Sequence, residues 1–415
     1  MNSKIFIPVQ TIFRLMVGLV FIFSGLVKGI DPMGSAYKFQ DYFIAFKIDF
    51  LQFLTLPMAI ILSSAEFLVG VSLFFGLQVK KGAWGALIFM AIFLPLTLVI
   101  ALTNPVSDCG CFGDALVITN WQTFWKNLII MVFTVFVFIF RKKYNQTYQM
   151  VNEWIVLGAF FIFLLGFSIY GLQHLPVMDF RPYKTGASIP EGMKIPEGAP
   201  QDEYVTTLVY EKNGVQKEFT SDDFPWQDST WKFIDQKSYL VIEGFKPPIH
   251  DFSIITPDGQ DITDLVLSSS GYSLLLISDD LTNANQTSLQ SVNELALLCE
   301  QNDIGFFCLT SSGYAEIEAL RNNIAILYEF YGTDETALKT IIRSNPGLVL
   351  IKEGIILGKW GWRDFPEPEF ISTNLLSEQL NQINKNQENW RLYGLSVTFL
   401  LLWAVSHKRM KNEKS

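Results

Sequence analysis

The chain has 415 residues, half of them hydrophobic and only 17% charged, with 36 phenylalanines. A soluble globular chain is nearer a quarter charged, so this composition points to the membrane class. The net charge of −9 comes with no dense basic stripe before the C-terminal tail, which argues against nucleic acid as a partner; His174, His250 and His407 stand too far apart for a histidine metal centre.

Five apolar segments come first, at about 12–30, 53–77, 82–102, 124–140 and 154–172. A hydrocarbon core about 30 Å thick takes about 20 residues of helix, so these segments are of spanning length. The first could pass for a signal peptide, but Lys28 and Asp31 follow it where a small-residue cleavage site would be, so we read it as retained. It carries Arg14 and Lys28, and the second segment carries Glu66. A carboxyl group at bilayer depth is costly and marks a functional site by default. Either Arg14 or Lys28 could pair with it. A purely structural pair between the two helices, with Arg14 snorkelling to an interface, would account for the same residues. Gly18, Gly25 and Gly70 would let these helices approach closely.

The loop before the fourth segment reads Asp108-Cys109-Gly110-Cys111-Phe112-Gly113-Asp114. Two cysteines one glycine apart can close a small, strained ring, and strain makes a disulfide more oxidising and more labile. Gly110 and Gly113 permit the turns such a ring needs. A static loop staple, two plain thiols, or a metal site shared with Asp108 are the other readings. The staple would remove little chain entropy, and zinc normally takes four ligands.

Basic residues set the expected orientation. Lys80 and Lys81 follow the second segment, Arg141, Lys142 and Lys143 follow the fourth, and Lys408, Arg409, Lys411 and Lys414 lie in the tail. With all three clusters in the cytoplasm, both termini are inside, and the cysteine loop and the region after the fifth segment are outside. A sixth, shorter span is expected at 392–405, beside Trp390 and Tyr393.

Residues 173–390 change character, with shorter hydrophobic runs and more Gly, Pro and Asp. After an extended connector, 204–210 and 215–220 read as a hairpin across Asn213-Gly214. From 250 the pattern alternates. Strands are expected at 252–255, 273–278, 304–309, 326–330, 347–352 and 355–359, with helices at 287–300, 314–323, 335–343 and 372–382. The alternation predicts an α/β layered sheet closed by an antiparallel pair. With Asn345-Pro346 just before a strand, this order resembles the thioredoxin-like fold over about 250–382. The resemblance implies that Pro346 is that fold's cis-proline, although an ordinary strand-opening proline reads the same way. A working thioredoxin carries Cys-x-x-Cys after its first central strand, and 278–286 here holds no cysteine. Cys299 and Cys308 read as small buried hydrophobes.

The expected organisation is a four-span core at 1–145, a fifth span at 146–172, a connector with a hairpin at 173–249, a thioredoxin-like unit at 250–385, and a sixth span with a basic tail at 386–415. Arg14, Gly18, Phe21, Gly25 and Lys28, then Glu66 and Gly70, resemble the pattern of the DoxX family of bacterial membrane proteins. The Cys-Gly-Cys-Phe-Gly stretch resembles the related redox-associated group that includes the methylamine-utilisation membrane protein. Together these likenesses cover about 12–140. They imply a place in periplasmic thiol–disulfide balance, in the bacterial inner membrane and beside thioredoxin-like partners. The architecture also parallels, by analogy, quinone-linked disulfide generators of the vitamin K epoxide reductase type. Those use Cys-x-x-Cys and a second loop pair, both absent here, so a quinone stays an open cofactor and no other is expected. Three functions compete: a thiol–disulfide redox protein acting through Cys109 and Cys111 on a client docked on the soluble domain, a non-catalytic envelope scaffold, and a small-solute or proton transporter resting on Glu66.

Overall fold

The computed structural model describes residues 3–106, 108–144, 150–200, 203–220, 223–242, 244–368 and 394. Its N-terminal part is a bundle of α1 (Ser3–Ile30), α3 (Thr55–Phe75), α4 (Val79–Thr103), α5 (Asn120–Phe140) and α6 (Met150–Gln173), with the short helix α2 (Pro32–Ala45) lying between α1 and α3. Among the described residues, five helices are long and apolar enough to cross a membrane, at Val9–Ile30, Asp49–Phe75, Val79–Thr103, Asn120–Lys143 and Glu153–Gln173. Large apolar side chains such as Ile61, Ile88, Ile92, Ile129 and Val132 point out of the bundle. In water that would be an oversized apolar patch; against hydrocarbon it costs nothing. The chain is a multi-pass membrane protein.

The ends of the spanning helices follow from local chemistry. Gly76 closes α3 in the left-handed conformation, and Thr119 opens α5 in a capping box with Gln122. The bundle is held most closely at the α1–α3 crossing, where a Cβ on Gly25 or Gly70 would strike the backbone of the other helix. Val17, Phe21, Leu73, Met90 and Ile130 fill one side of it, and Phe67, Val71, Phe160 and Leu164 the other.

Helix α2 fell between the expected spans. Asp31 caps it, accepting from the Gly34 amide at 2.9 Å, with Pro32 in its first turn. A 3₁₀ turn, Asp49–Leu54, leads from it into α3, leaving Phe50 and Phe53 about three-quarters exposed at 75% and 74%.

The C-terminal part has two sheets. The first joins β1 (Glu203–Lys212), β2 (Val215–Thr220) and β3 (Lys232–Ile242) in the order β2-β1-β3, all antiparallel. The strand β3 adds to the hairpin read from the sequence. In the second sheet β4 (Tyr272–Ser278), β5 (Gly305–Thr310) and β6 (Phe330–Gly332) run parallel, and β7 (Gly347–Lys352) and β8 (Ile355–Gly361) form an antiparallel pair. The order β6-β5-β4-β7-β8 is that of a thioredoxin-like sheet with β4 at its centre. Both faces are covered, so β4 and β7 read as continuous apolar runs. Leu274, Leu276, Leu348 and Leu350 point to one core, and Leu275, Ile277, Val349 and Ile351 to the other. In chain order the short helices α7 (Ile189–Met193) and α8 (Thr263–Leu267) come before α9 (Gln286–Gln301), and α10 (Tyr314–Asn323) after it; the first core includes α9 and the fully buried Cys299 and Cys308.

Two expected strands differ. At 252–255 only bridges form, from Ile255 to Asp261 and to Gly332. The strand at 326–330 begins only at Phe330, because the Asn293 side chain takes both the Leu327 amide, at 2.9 Å, and the Ala325 carbonyl, at 2.8 Å. The expected helix at 335–343 ends at Ile341, as α11 (Glu335–Ile341). The helix expected at 372–382 and, apart from Gly394, the span expected at 392–405 lie outside the described residues.

The connector is stitched to the sheet. Gly186 and Ala187 exchange backbone hydrogen bonds with Ile356, and Asp179 holds Arg181 and the buried Lys359, each at 2.7 Å. Burial, then the charge of Arg181, presses Lys359 down to about 7, and Asp179 partly offsets this. His174, at the end of α6, meets Asp364 at 2.8 Å.

Candidate functional site

The cysteine loop is held from three helices. Ser24 on α1 donates to the Cys111 carbonyl at 2.6 Å, and Tyr42 on α2 donates to the Cys109 carbonyl at 2.7 Å. Lys38, also on α2, pairs with Asp108 at 2.7 Å, and the other oxygen of Asp108 accepts from the Gly110 amide at 2.8 Å. From α5, Lys126 lies 4.1 Å above the Phe112 ring. Gly110 and Gly113 adopt φ of 64° and 51°, a region closed to most side chains, and turn the loop back toward α1. The two sulfurs end 3.0 Å apart, both half-buried.

At that separation a hydrogen bond joins the two sulfurs. Cys111 is held below the ordinary thiol value of 9.0, first by the hydrogen bond from Cys109 and then by the charges of Lys126 and Lys28. Cys109 is pushed up, by the same hydrogen bond and by burial. One sulfur is thus poised as thiolate beside a thiol.

Beneath the pair lies a cavity of about 120 Å³. Phe21, Met90, Phe93 and Ile130 give it apolar walls, while Lys28, Glu66, Ser63, Thr97, Asn127 and Lys126 supply polar groups. Lys28 and Glu66 meet there at 2.6 Å, with side chains 16% and 7% exposed. Of the two cations that could have paired with Glu66, Lys28 does so. Arg14 does not; it turns to the other end of the bundle, donates to the Leu73 carbonyl and lies 5.6 Å from the centre of the Tyr144 ring. No cluster of His, Cys, Asp and Glu that could hold a metal is found among the described residues.

In the α/β unit, the Asn345–Pro346 bond is cis. Asn345 accepts from Ser278 and donates to the Asp280 carbonyl, both at 2.7 Å, so the proline loop faces the segment where a thioredoxin would carry its cysteines. Sequence reasoning missed Lys126, Tyr42 and Lys38. Lys126 was findable, being an ionisable residue inside an apolar span. The other two sit on α2, which the span pattern did not reveal.

Residues 7–140 match the family of the methylamine utilisation protein MauE. The MauE-like region takes in α1 to α5 and therefore both loop cysteines, Lys28, Glu66 and Lys126. Residues 204–243, essentially β1 to β3, match a family described as a domain of unknown function, DUF8463. No curated protein matches the chain. Among solved structures, a solution structure from Bacteroides thetaiotaomicron, described as a candidate protein disulfide isomerase, is 18% identical. It matches with a TM-score of 0.24 over 32% of this chain and 84% of that one.

The geometry fixes a labelling pattern. After mild reduction of intact membranes, a maleimide should modify the loop pair and spare Cys299 and Cys308 until denaturant is added. Burial pushes both core thiols up, Cys299 to about 12, and closes them to reagent. The loop reaction should persist well below pH 9, because the Cys111 thiolate forms there. A rate that falls away below pH 9 as for a free thiol would remove the case for a stabilised thiolate. Mass spectrometry of peptides labelled across a pH series reads both.

Proposed function

We propose that this membrane protein exchanges disulfides with an extracytoplasmic protein, using Cys109 and Cys111 as the exchanging pair. The observation that carries the reading is the placement of two sulfurs 3.0 Å apart at a cavity holding Lys28, Glu66 and Lys126. The DoxX-like and MauE-like patterns of the same helices support it.

The lower-pKa sulfur is the better leaving group. A client thiolate attacks Cys109 Sγ of the oxidised pair, and the Cys109–Cys111 bond breaks. Cys111 leaves as a thiolate facing Lys126 and Lys28. The client's second thiolate then attacks the client's own sulfur in the mixed disulfide, Cys109 leaves as a thiolate, and the client departs with its disulfide. Two electrons pass from client to pair; of the two client protons, one ends on Cys109 and the other is released. A more oxidising disulfide run through the reverse exchange restores the pair. Cys109 is therefore the residue that carries the client, and Cys111 the one that resolves it.

We place the pair and the α/β unit on the periplasmic side of a bacterial inner membrane, with both termini in the cytoplasm. Reporter fusions after Lys81 and Lys143 should read cytoplasm, and fusions at Gly113 and Gly259 should read outside. A cytoplasmic reading at Gly113 would sink the proposal, since the thiols would sit in a reducing compartment. The client docks on the soluble domain. The sheet of β1 to β3, with Trp226, Phe233 and Tyr239 more than half exposed, is the surface we favour for it.

A second reading, a non-catalytic scaffold, draws support from the cysteine-free end of β4. Gel-shift trapping of the thiols in growing cells separates the two. An exchanging pair gives a mixture of oxidised and reduced chains that moves with added reductant, whereas a scaffold gives one fixed state. Pairing of Glu66 with Lys28 leaves the transporter reading without its lone carboxylate.

A further inference from the structure

The proline-loop end of the α/β unit does not face open solvent. Arg343, which follows α11 and precedes Ser344-Asn345-Pro346, is 5% exposed at its side chain and reaches into the membrane bundle. Its Nε donates to Asp31 at 2.9 Å, its Nη2 to Asp114 at 2.9 Å, and its Nη1 to the Lys339 carbonyl. The guanidinium lies 5.3 Å from the centre of the Tyr37 ring on α2, and Lys339 lies 5.0 Å from the same ring.

Both carboxylates matter to the cysteines. Asp114 ends the Cys-Gly-Cys-Phe-Gly turn. Asp31 caps α2, the helix whose Lys38 and Tyr42 hold Asp108 and Cys109. One cation thus ties the soluble unit to the loop from two directions. Among the described residues a small cavity of about 20 Å³ lies between them, lined by Gly110, Gly113 and Asp114 on one side and by Phe180 and Arg181 of the connector on the other. That is room for about one water and not for a peptide.

We propose that the α/β unit is a built-in cover for the cysteine pair, latched by Arg343. The surface that a working thioredoxin offers to clients is spent here on the chain's own loop. A client reaches Cys109 when the latch opens. This rests on the exchange reading for its purpose, but not for its test.

The test compares two maleimides on the reduced, full-length protein in native membranes: a small one and one carrying a polymer of about 5 kDa, too bulky for the gap. In wild type the bulky reagent should label Cys109 and Cys111 far more slowly than the small one. Arg343→Gln leaves two acids facing each other without their cation, and should speed bulky labelling roughly tenfold or more, with a smaller change for the small reagent. Arg343→Lys should restore part of the protection, and Asp114→Asn should fall between. A change in thiol reactivity alone would move both reagents together. Should Arg343→Gln fail to accumulate, Asp114→Asn carries the test by itself. Equal rates for both reagents in wild type, or a ratio unmoved by these variants, would overturn the cover. Labelling needs only reduced thiols, so a pair that never cycles in cells would sink the exchange reading and leave this result standing.

Discussion

Cys111→Ala is expected to accumulate as mixed disulfides through Cys109 and to lose exchange activity down to background. The expectation follows from the unequal environments of the two sulfurs. Cys111 feels Lys126 and Lys28 and gives the better leaving group, while Cys109 is the sulfur left carrying the client. In this variant the Cys109 thiolate attacks a client disulfide, the client's other sulfur leaves as a thiolate, and no Cys111 thiolate is at hand to return and free the adduct. Cys109→Ala should be equally inactive but yield far fewer adducts, since the remaining sulfur is the resolving one. Both variants should keep the fold, because two half-buried loop thiols contribute little packing. Non-reducing gels followed by mass spectrometry of the adducts read the asymmetry and name the client. Equal adducts from both variants would reverse or erase the assigned roles, and full activity in the double variant would leave only the scaffold reading.

The second large effect lies at Lys28 and Glu66. Lys28→Met leaves a carboxylate buried without its cation, which costs about 3–5 kcal/mol in comparable sites. The melting temperature in detergent should therefore drop steeply. Glu66→Gln keeps hydrogen bonding while abolishing ionisation, so it should fold with a smaller loss and exchange slowly. Glu66→Ala should also loosen the α1–α3 packing. The informative variant is the double change Lys28→Met with Glu66→Leu. An apolar pair of similar volume commonly restores stability, so a rescued melting temperature with exchange still slow would assign the ion pair to the chemistry. Rescue of both would make it a structural pair between two helices.

Much of this was legible in the sequence because it is written locally. Uninterrupted apolar length gives the five spans, and the alternation after Pro248 gives the β4-to-β8 sheet. The Cys-Gly-Cys turn stands out because Gly110 separates the two cysteines and Gly113 follows them. What escaped was amphipathic or distant. Helix α2 mixes Lys38 and Asp41 with Phe39, Tyr42 and Phe43, so no hydropathy window isolates it. Strand β3 carries Lys232, Asp235, Gln236 and Lys237 among its apolar residues and, among the described strands, pairs with β1 alone. The latch joins residues 312 positions apart, and nothing near Arg343 in the sequence points to Asp31. Choosing Lys28 over Arg14 for Glu66 likewise needed the axial position of each residue along α1, which composition does not supply.

The glycine crossing of α1 and α3 has a mechanical consequence. Gly25 rests on the backbone at Ser63 and Phe67, and the Lys28–Glu66 pair sits within a turn of that contact. Two helices that touch main chain to main chain have no side-chain cushion to compress. Bilayers differ in thickness, and spanning helices answer by tilting or sliding past one another. Here such adjustments must pivot about the glycines, so the ion pair is carried along as a unit while the helix ends absorb the strain. The crossing works as a calliper, fixing the gap beneath Cys111 against changes in the surrounding lipid.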